Sequence, residues 1–162
     1  MIYPVIYIAA LVAANLLVAF IGPWFSVVNS FVLIGLDLTL RDKLHDKWDG
    51  NPLKIGALIA VAGSISYLLN PASGQIAIAS VVAFCLSMVS DSFVYQKLKA
   101  QSWQKRTTGS NIAGAAVDSI TFPTIAFGGL MPEIVAMQFV SKVVGGFVWT
   151  KIYELHTSKP NS

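Results

Sequence analysis

Residues 27–48, VVNSFVLIGLDLTLRDKLHDKW, decide the fold. The stretch opens as an apolar run with the composition of a membrane helix. It then carries Asp37 and Arg41 before it passes into a charged segment. An aspartate and an arginine four residues apart share one helix face and can pair. Charge inside hydrocarbon is costly, so such a pair marks either a contact that fixes helix register or the wall of a polar route.

Working outward, the whole chain has the same character. Of its 162 residues, 55% are hydrophobic and 12% charged, and the mean hydropathy is +0.66. A soluble domain carries about twice that charge. The expected class is therefore an all-α polytopic membrane protein. The single cysteine, Cys85, lies in an apolar run and supplies neither a disulfide framework nor metal-ligand spacing. No cofactor is called for. The first apolar segment lacks a basic leader and is followed by others, so it reads as a retained helix, not a cleaved signal.

A span needs roughly 20 mostly apolar residues. Six segments are expected: 2–21, 24–44, 53–69, 75–95, 111–127 and 132–152. Gly22-Pro23, DKWDGNP (46–52), residues 70–74 and Gly128-Gly129 punctuate them as turns, and 99–110 reads as a polar, basic loop. Residues 1–154 then form one six-helix transmembrane domain, and 155–162 a short polar cytoplasmic tail. The bases fix orientation. Arg41, Lys43, Lys47 and Lys54 flank the second junction, Lys97, Lys99, Lys105 and Arg106 the fourth, and Lys151 and Lys159 the C-terminus. With six spans, these ten of the eleven bases fall on one face, and six is the only even count that separates them so. The positive-inside rule puts that face, with both termini, in the cytoplasm. Three separate basic clusters at membrane borders do not make a nucleic-acid stripe.

The eleventh base, Lys142, lies well inside the sixth segment. With Asp37, Arg41, Asp91 and Asp118 it makes five ionisable residues at or near membrane depth. Such groups normally face a bundle interior or a water-filled cavity. Each also has a structural reading as one half of a buried pair, and Arg41 and Asp91 can snorkel to the cytoplasmic interface. Helical spacing groups them with neighbours. Ser26, Ser30, Leu33, Asp37 and Arg41 form one stripe, and Ser80, Phe84, Ser87, Asp91 and Tyr95 another. Asn111, Gly114, Ala115, Asp118 and Phe122 form a third, Gln138, Lys142, Gly145 and Trp149 a fourth, and the first segment offers Asn15. These stripes should converge inward. Pro123 cannot donate to the carbonyl of Ser119, which makes the fifth segment kinked and locally polar there. A cavity so lined can accept N–H groups on carboxylates, donate from Lys142 and stack a flat ring on Phe84 or Phe122. Composition alone does not select a nucleobase over another small polar solute.

At these residues a resemblance appears. Asp37-Leu38-Thr39-Leu40-Arg41 resembles the D-L-T-x-R segment of the queuosine-precursor transporter (vitamin uptake transporter, VUT) family. Asp91-Ser92-Phe93-Val94-Tyr95, Lys97-Leu98, a basic Trp-containing loop, Ser110 and Val117-Asp118-Ser119-Ile120-Thr121-Phe122 resemble its second half. Ile125-Ala126-Phe127, Lys142 and Asn15 fit in order, so the likeness covers nearly the whole chain. It implies a multi-pass inner-membrane protein that imports 7-cyano-7-deazaguanine or a related 7-deazaguanine for tRNA queuosine synthesis. It also implies that Asp37, Arg41, Asp91, Asp118 and Lys142 form the site, with Asn15 a weaker member. The chain is shorter than expected for that family, which puts in question any partner or gating element housed in the trimmed loops and tail.

The partners expected are therefore the lipid bilayer, the deazaguanine solute, protons as a coupling ion and further copies of the chain in a homo-oligomer. Protons enter because three membrane acids face two bases. The alternative function is the substrate-binding subunit of an energy-coupling-factor vitamin importer. Ala9, Ala10, Ala13 and Ala14 would be its docking face, although such spacing also serves ordinary helix packing. An enzyme is not expected: His45 and His156 are isolated, and no nucleophile motif or phosphate loop is present.

Overall fold

A computed structural model describes residues 2–33 and 52–157. These residues form six α-helices and one 3₁₀ turn. They are α1 (Ile2–Ile21), α2 (Pro23–Leu33), α3 (Pro52–Leu69), the turn Pro71–Ser73, α4 (Gly74–Lys97), α5 (Trp103–Ala126) and α6 (Pro132–Thr157). Asp37 and Arg41, the pair that opened the sequence reading, lie outside the described residues.

The punctuation is chemical. Gly22 ends α1 at φ +101, a conformation open to glycine, with its N–H on the Val18 carbonyl at 2.9 Å. Pro23 then starts α2, where its missing N–H is no loss. Between α3 and α4, the Asn70 side chain accepts the Ala72 N–H at 3.1 Å, and the Ser73 hydroxyl donates to the Asn70 carbonyl at 2.7 Å. Gly128 at φ +72 follows α5, and Pro132 opens α6 with Glu133 in its first turn, where the helix dipole favours an acid.

One expected loop is corrected. Residues 99–110 are not a continuous loop, because α5 begins at Trp103. Gln104, Lys105 and Arg106 are good helix formers. The early turns of α5 also lie against α4: a Cβ on Gly109 would come within 2.7 Å of Leu98 Cδ1. At the other end α6 runs to Thr157, so the first residues of the expected tail are helical. The helix also continues unbroken through Pro123, which is fully buried.

In space α1 packs on α3, α3 on α4, α4 most extensively on α5, and α5 on α6. Two apolar clusters fill the joints. Tyr7, Ile55 and Ile59 pack with Leu11, Val81 and Phe84. Val18, Ile76, Ala79 and Ala126 pack with Phe25, Phe122 and Ile125. Large apolar side chains also cover the outside, with Leu68 80% and Phe147 70% exposed, while Gln138, Ser66 and Ser119 are wholly buried. Polar groups inside and apolar groups outside suit hydrocarbon, not water. By length and composition α1 and the run Pro71–Lys97 are each apolar enough to cross a membrane, and Pro23–Leu33 and Leu53–Leu69 are shorter apolar helices. Helices α5 and α6, at 24 and 26 residues, are long enough to cross but carry more polar groups.

One interior junction ties three helices. Asn15 of α1 donates from Nδ2 to Ser66 Oγ of α3 at 3.3 Å, and its Oδ1 lies 3.1 Å from Ser80 Oγ of α4, whose one proton it shares with the Ile76 carbonyl at 3.0 Å. Both ends of the amide are thus engaged by protein. Asn15→Leu is expected to lower stability by about 1–2 kcal/mol, the sum of two interhelical hydrogen bonds in a membrane. Unfolding in mixed micelles measures it. Unchanged stability with weakened solute binding would return Asn15 to the site.

Candidate functional site

The second interior network lies across α2, α5 and α6, and Lys142 is its centre. The residue sits ten positions into α6, about 15 Å from the start of that helix. That is roughly half the hydrocarbon thickness. Its ammonium pairs with Asp118 Oδ2 of α5. It also reaches Ser119 Oγ and Gln138 Oε1, each at 3.4 Å. An ammonium has three donors, and all three find oxygen. The side chain is 11% exposed and that of Asp118 28%, so the pair is set mostly in low dielectric.

Gln138 stands one turn before Lys142 and is wholly buried. Its Nε2 donates to Ser26 Oγ of α2 at 2.6 Å. Ser26 in turn donates to the Pro23 carbonyl at 2.5 Å. Asn29, one turn further along α2, holds the Ala14 carbonyl of α1 at 3.1 Å. So α2 is tied to α6 on one side and to α1 on the other.

Two acceptors remain open. Among the described residues no donor reaches Asp118 Oδ1, and Asp91 has no ion pair or hydrogen bond. Asp91 is half-buried on α4 against the bare backbone of α5: a Cβ on Gly114 would lie 3.5 Å from Asp91 Cβ and 3.4 Å from the Ser87 carbonyl. Gly114 precedes Asp118 by four residues, so Asp91 packs against α5 about one helical turn, roughly 6 Å of rise, from where Asp118 is attached. Gly114→Ala places its methyl at ordinary contact distance. It should range from neutral to about 1 kcal/mol more stable. Gly114→Leu has no such room and should cost about 1–3 kcal/mol. It should also displace Asp91, a result read by thermal unfolding alongside solute binding.

The residues singled out in the sequence separate into three groups. Asp118 and Lys142 meet, with Asp91 close along α5. Asn15 belongs to the α1–α3–α4 junction. Phe84 packs against the Tyr7 cluster, and Phe122 packs edge-on to Phe127 at 6.1 Å between ring centres, in the other cluster. Asp37 and Arg41 fall outside the described residues. Of the network, Ser26 and Gln138 stood on the polar stripes, but neither was singled out as a site residue. Ser119 lay off its stripe, one position from Asp118, and its only signal was Pro123 four residues on. Among the described residues no group of three or more His, Cys, Asp or Glu could hold a metal ion.

With this geometry in view, the chain can be set beside known proteins. The model of a family described as "Putative vitamin uptake transporter" matches residues 5–155. No curated protein and no solved structure matches the chain.

Proposed function

The chain belongs to the vitamin uptake transporter family, and from that premise we propose that it imports a queuosine precursor, 7-cyano-7-deazaguanine or a related 7-deazaguanine, across the inner membrane. One observation carries the substrate class. Two carboxylates with open oxygens stand along α5: Asp118, paired with the Lys142 ammonium, and Asp91 of α4, packed against Gly114 one helical turn from Asp118. A guanine-type edge offers adjacent N–H donors for a carboxylate and a carbonyl oxygen for an ammonium. Charge-assisted bonds of this kind are the strong ones. Phe122, one turn from Asp118, is the nearer ring along the chain, and either Phe122 or Phe84 would have to leave its cluster to stack on the base.

Six spans with the basic ends in the cytoplasm give the route a direction. Asp118 is eight residues from the outer end of α5, and Asp91 is six from the cytoplasmic end of α4. A solute entering from outside therefore meets the Lys142–Asp118 pair first and Asp91 next. Asp37 and Arg41 would complete the inner wall. The coupling ion we take to be the proton, since three acids, Asp37, Asp91 and Asp118, stand against two bases, Arg41 and Lys142. Full pH-dependent uptake in both Asp91→Asn and Asp118→Asn would defeat that coupling.

The test of substrate is direct. In a cell unable to make the precursor, removing this chain should abolish queuosine in tRNA at low external precursor. Unchanged salvage would sink the assignment.

A second reading, the substrate-binding subunit of an energy-coupling-factor importer, is favoured by one feature. Ala9 and Ala13 of α1 line an open apolar groove of about 480 Å³ against Ile65 of α3, where a coupling subunit could seat. Uptake by the purified chain alone in liposomes, measured with and without a pH gradient, would count against it.

A further inference from the structure

We infer that Gln138 is a positioning residue. It holds the Lys142 ammonium on Asp118 and ties that ion pair to the N-terminal turn of α2. The inference stands on hydrogen-bond direction. Ser26 has one hydroxyl proton, and it goes to the Pro23 carbonyl at 2.5 Å. Towards Gln138 the hydroxyl can therefore only accept, so the atom 2.6 Å away must be the amide nitrogen. That fixes the amide. Its oxygen then faces the Lys142 ammonium at 3.4 Å. The reverse orientation would set oxygen against oxygen at one end and N–H against ammonium at the other, both repulsive. A wholly buried amide has no water with which to make up the loss.

The bonds run outward from Lys142: it donates to Asp118 on one side and to Gln138 on the other, and Gln138 donates to Ser26, which donates to Pro23. On the Gln138 side the three bonds share one sense and strengthen one another. The consequence for transport rests on the proposed function. A solute that draws Lys142 from Asp118 also draws it from the Gln138 oxygen, and so frees one end of the amide whose other end is bonded to Ser26 of α2. Entry of solute and movement of α2 are linked through one amide.

Thermal unfolding of the detergent-purified full chain tests the placement without any solute. Asp118→Asn should lower Tm. Adding Gln138→Glu puts a carboxylate on the other side of the same ammonium and should restore at least half of that loss, with Ser26 turning its hydroxyl proton from the Pro23 carbonyl to the second Glu oxygen. A second arm uses Ser26→Ala and Lys142→Met, whose side chains are joined, among the described residues, through Gln138. Their Tm shifts should be non-additive by roughly 2–6 °C and become additive in a Gln138→Leu background. A double variant no more stable than Asp118→Asn alone would overturn the inference, and so would additivity in the native background. Precursor uptake in proteoliposomes is read beside these. It should stay lost in the Asp118→Asn, Gln138→Glu chain, because that carboxylate is not where the solute needs it. Uptake returning together with stability would overturn the positioning role. Failure of the native chain to carry the precursor would defeat the proposed substrate while leaving both Tm arms valid.

Discussion

Asp118→Ala should cost the folded chain about 3 kcal/mol, at the lower end of what breaking a buried ion pair costs. Lys142→Met should cost about half as much, and the two together less than Asp118→Ala alone. The asymmetry comes from what each change leaves behind. Without Asp118, an ammonium only 11% exposed keeps two neutral oxygens at 3.4 Å and no counter-charge. Without Lys142, a carboxylate 28% exposed is less enclosed than the ammonium was. Removing both takes away two desolvated charges and leaves Ser119 and Gln138 near apolar groups. Replacing a buried pair by apolar residues is often neutral or better. Equilibrium unfolding of the four purified chains in mixed micelles decides it. A larger loss for Lys142→Met than for Asp118→Ala, or simple additivity, would show that the pair is not the buried unit described here.

The pair would not be kept for stability if an apolar replacement does as well. Its place inside the bundle then calls for work that only charge can do, and a transporter supplies it. Paired, the two groups present little net field to the bilayer, and separated, they offer a donor and an acceptor to a polar solute. The three acceptors around Lys142 keep the separated state from being reached without a ligand that replaces them.

Much of this was legible in the chain itself. Gly22-Pro23, Asn70-Pro71 and Gly128-Gly129 stop and start helices through backbone chemistry that needs no tertiary context, and the helices end there. The stripe on α6 placed Gln138 and Lys142 together because four residues make one turn. What spacing could not supply was the neighbour each stripe would meet. Ser80 and Asp91 lie on one face of α4, yet Ser80 joins α1 and Asp91 abuts α5, since α4 contacts both helices. Asn15 reads as a site residue in isolation, and only the packing of α3 and α4 shows that Ser66 and Ser80 engage it. The start of α5 at Trp103 was hidden for a different reason. Polar, basic residues look like loop when hydropathy is the guide, but here they extend a helix against the end of α4.

Asp91→Asn should behave in the opposite way to Asp118→Ala. Stability should hold or rise, while solute affinity falls about tenfold to a hundredfold, the loss of a hydrogen bond to a charged group. Among the described residues Asp91 makes no ion pair and no hydrogen bond, so exchanging its carboxylate for an amide of the same size breaks no contact there. It also removes a lone charge from a half-buried place on a membrane helix, which is costly to maintain. A carboxylate whose loss improves the fold and impairs transport is one kept for its ligand, the trade expected of a binding group. Gly114 supports the same view from across the interface, because its missing side chain is what lets α5 approach Asp91 so closely. Uptake kinetics in proteoliposomes and thermal unfolding, run on the same preparation, separate the alternatives. A fall in Tm as large as that of Asp118→Ala, with KM unchanged, would make Asp91 a structural acid whose partner lies among the residues between α2 and α3. A raised KM with an intact or higher Tm places it against the solute.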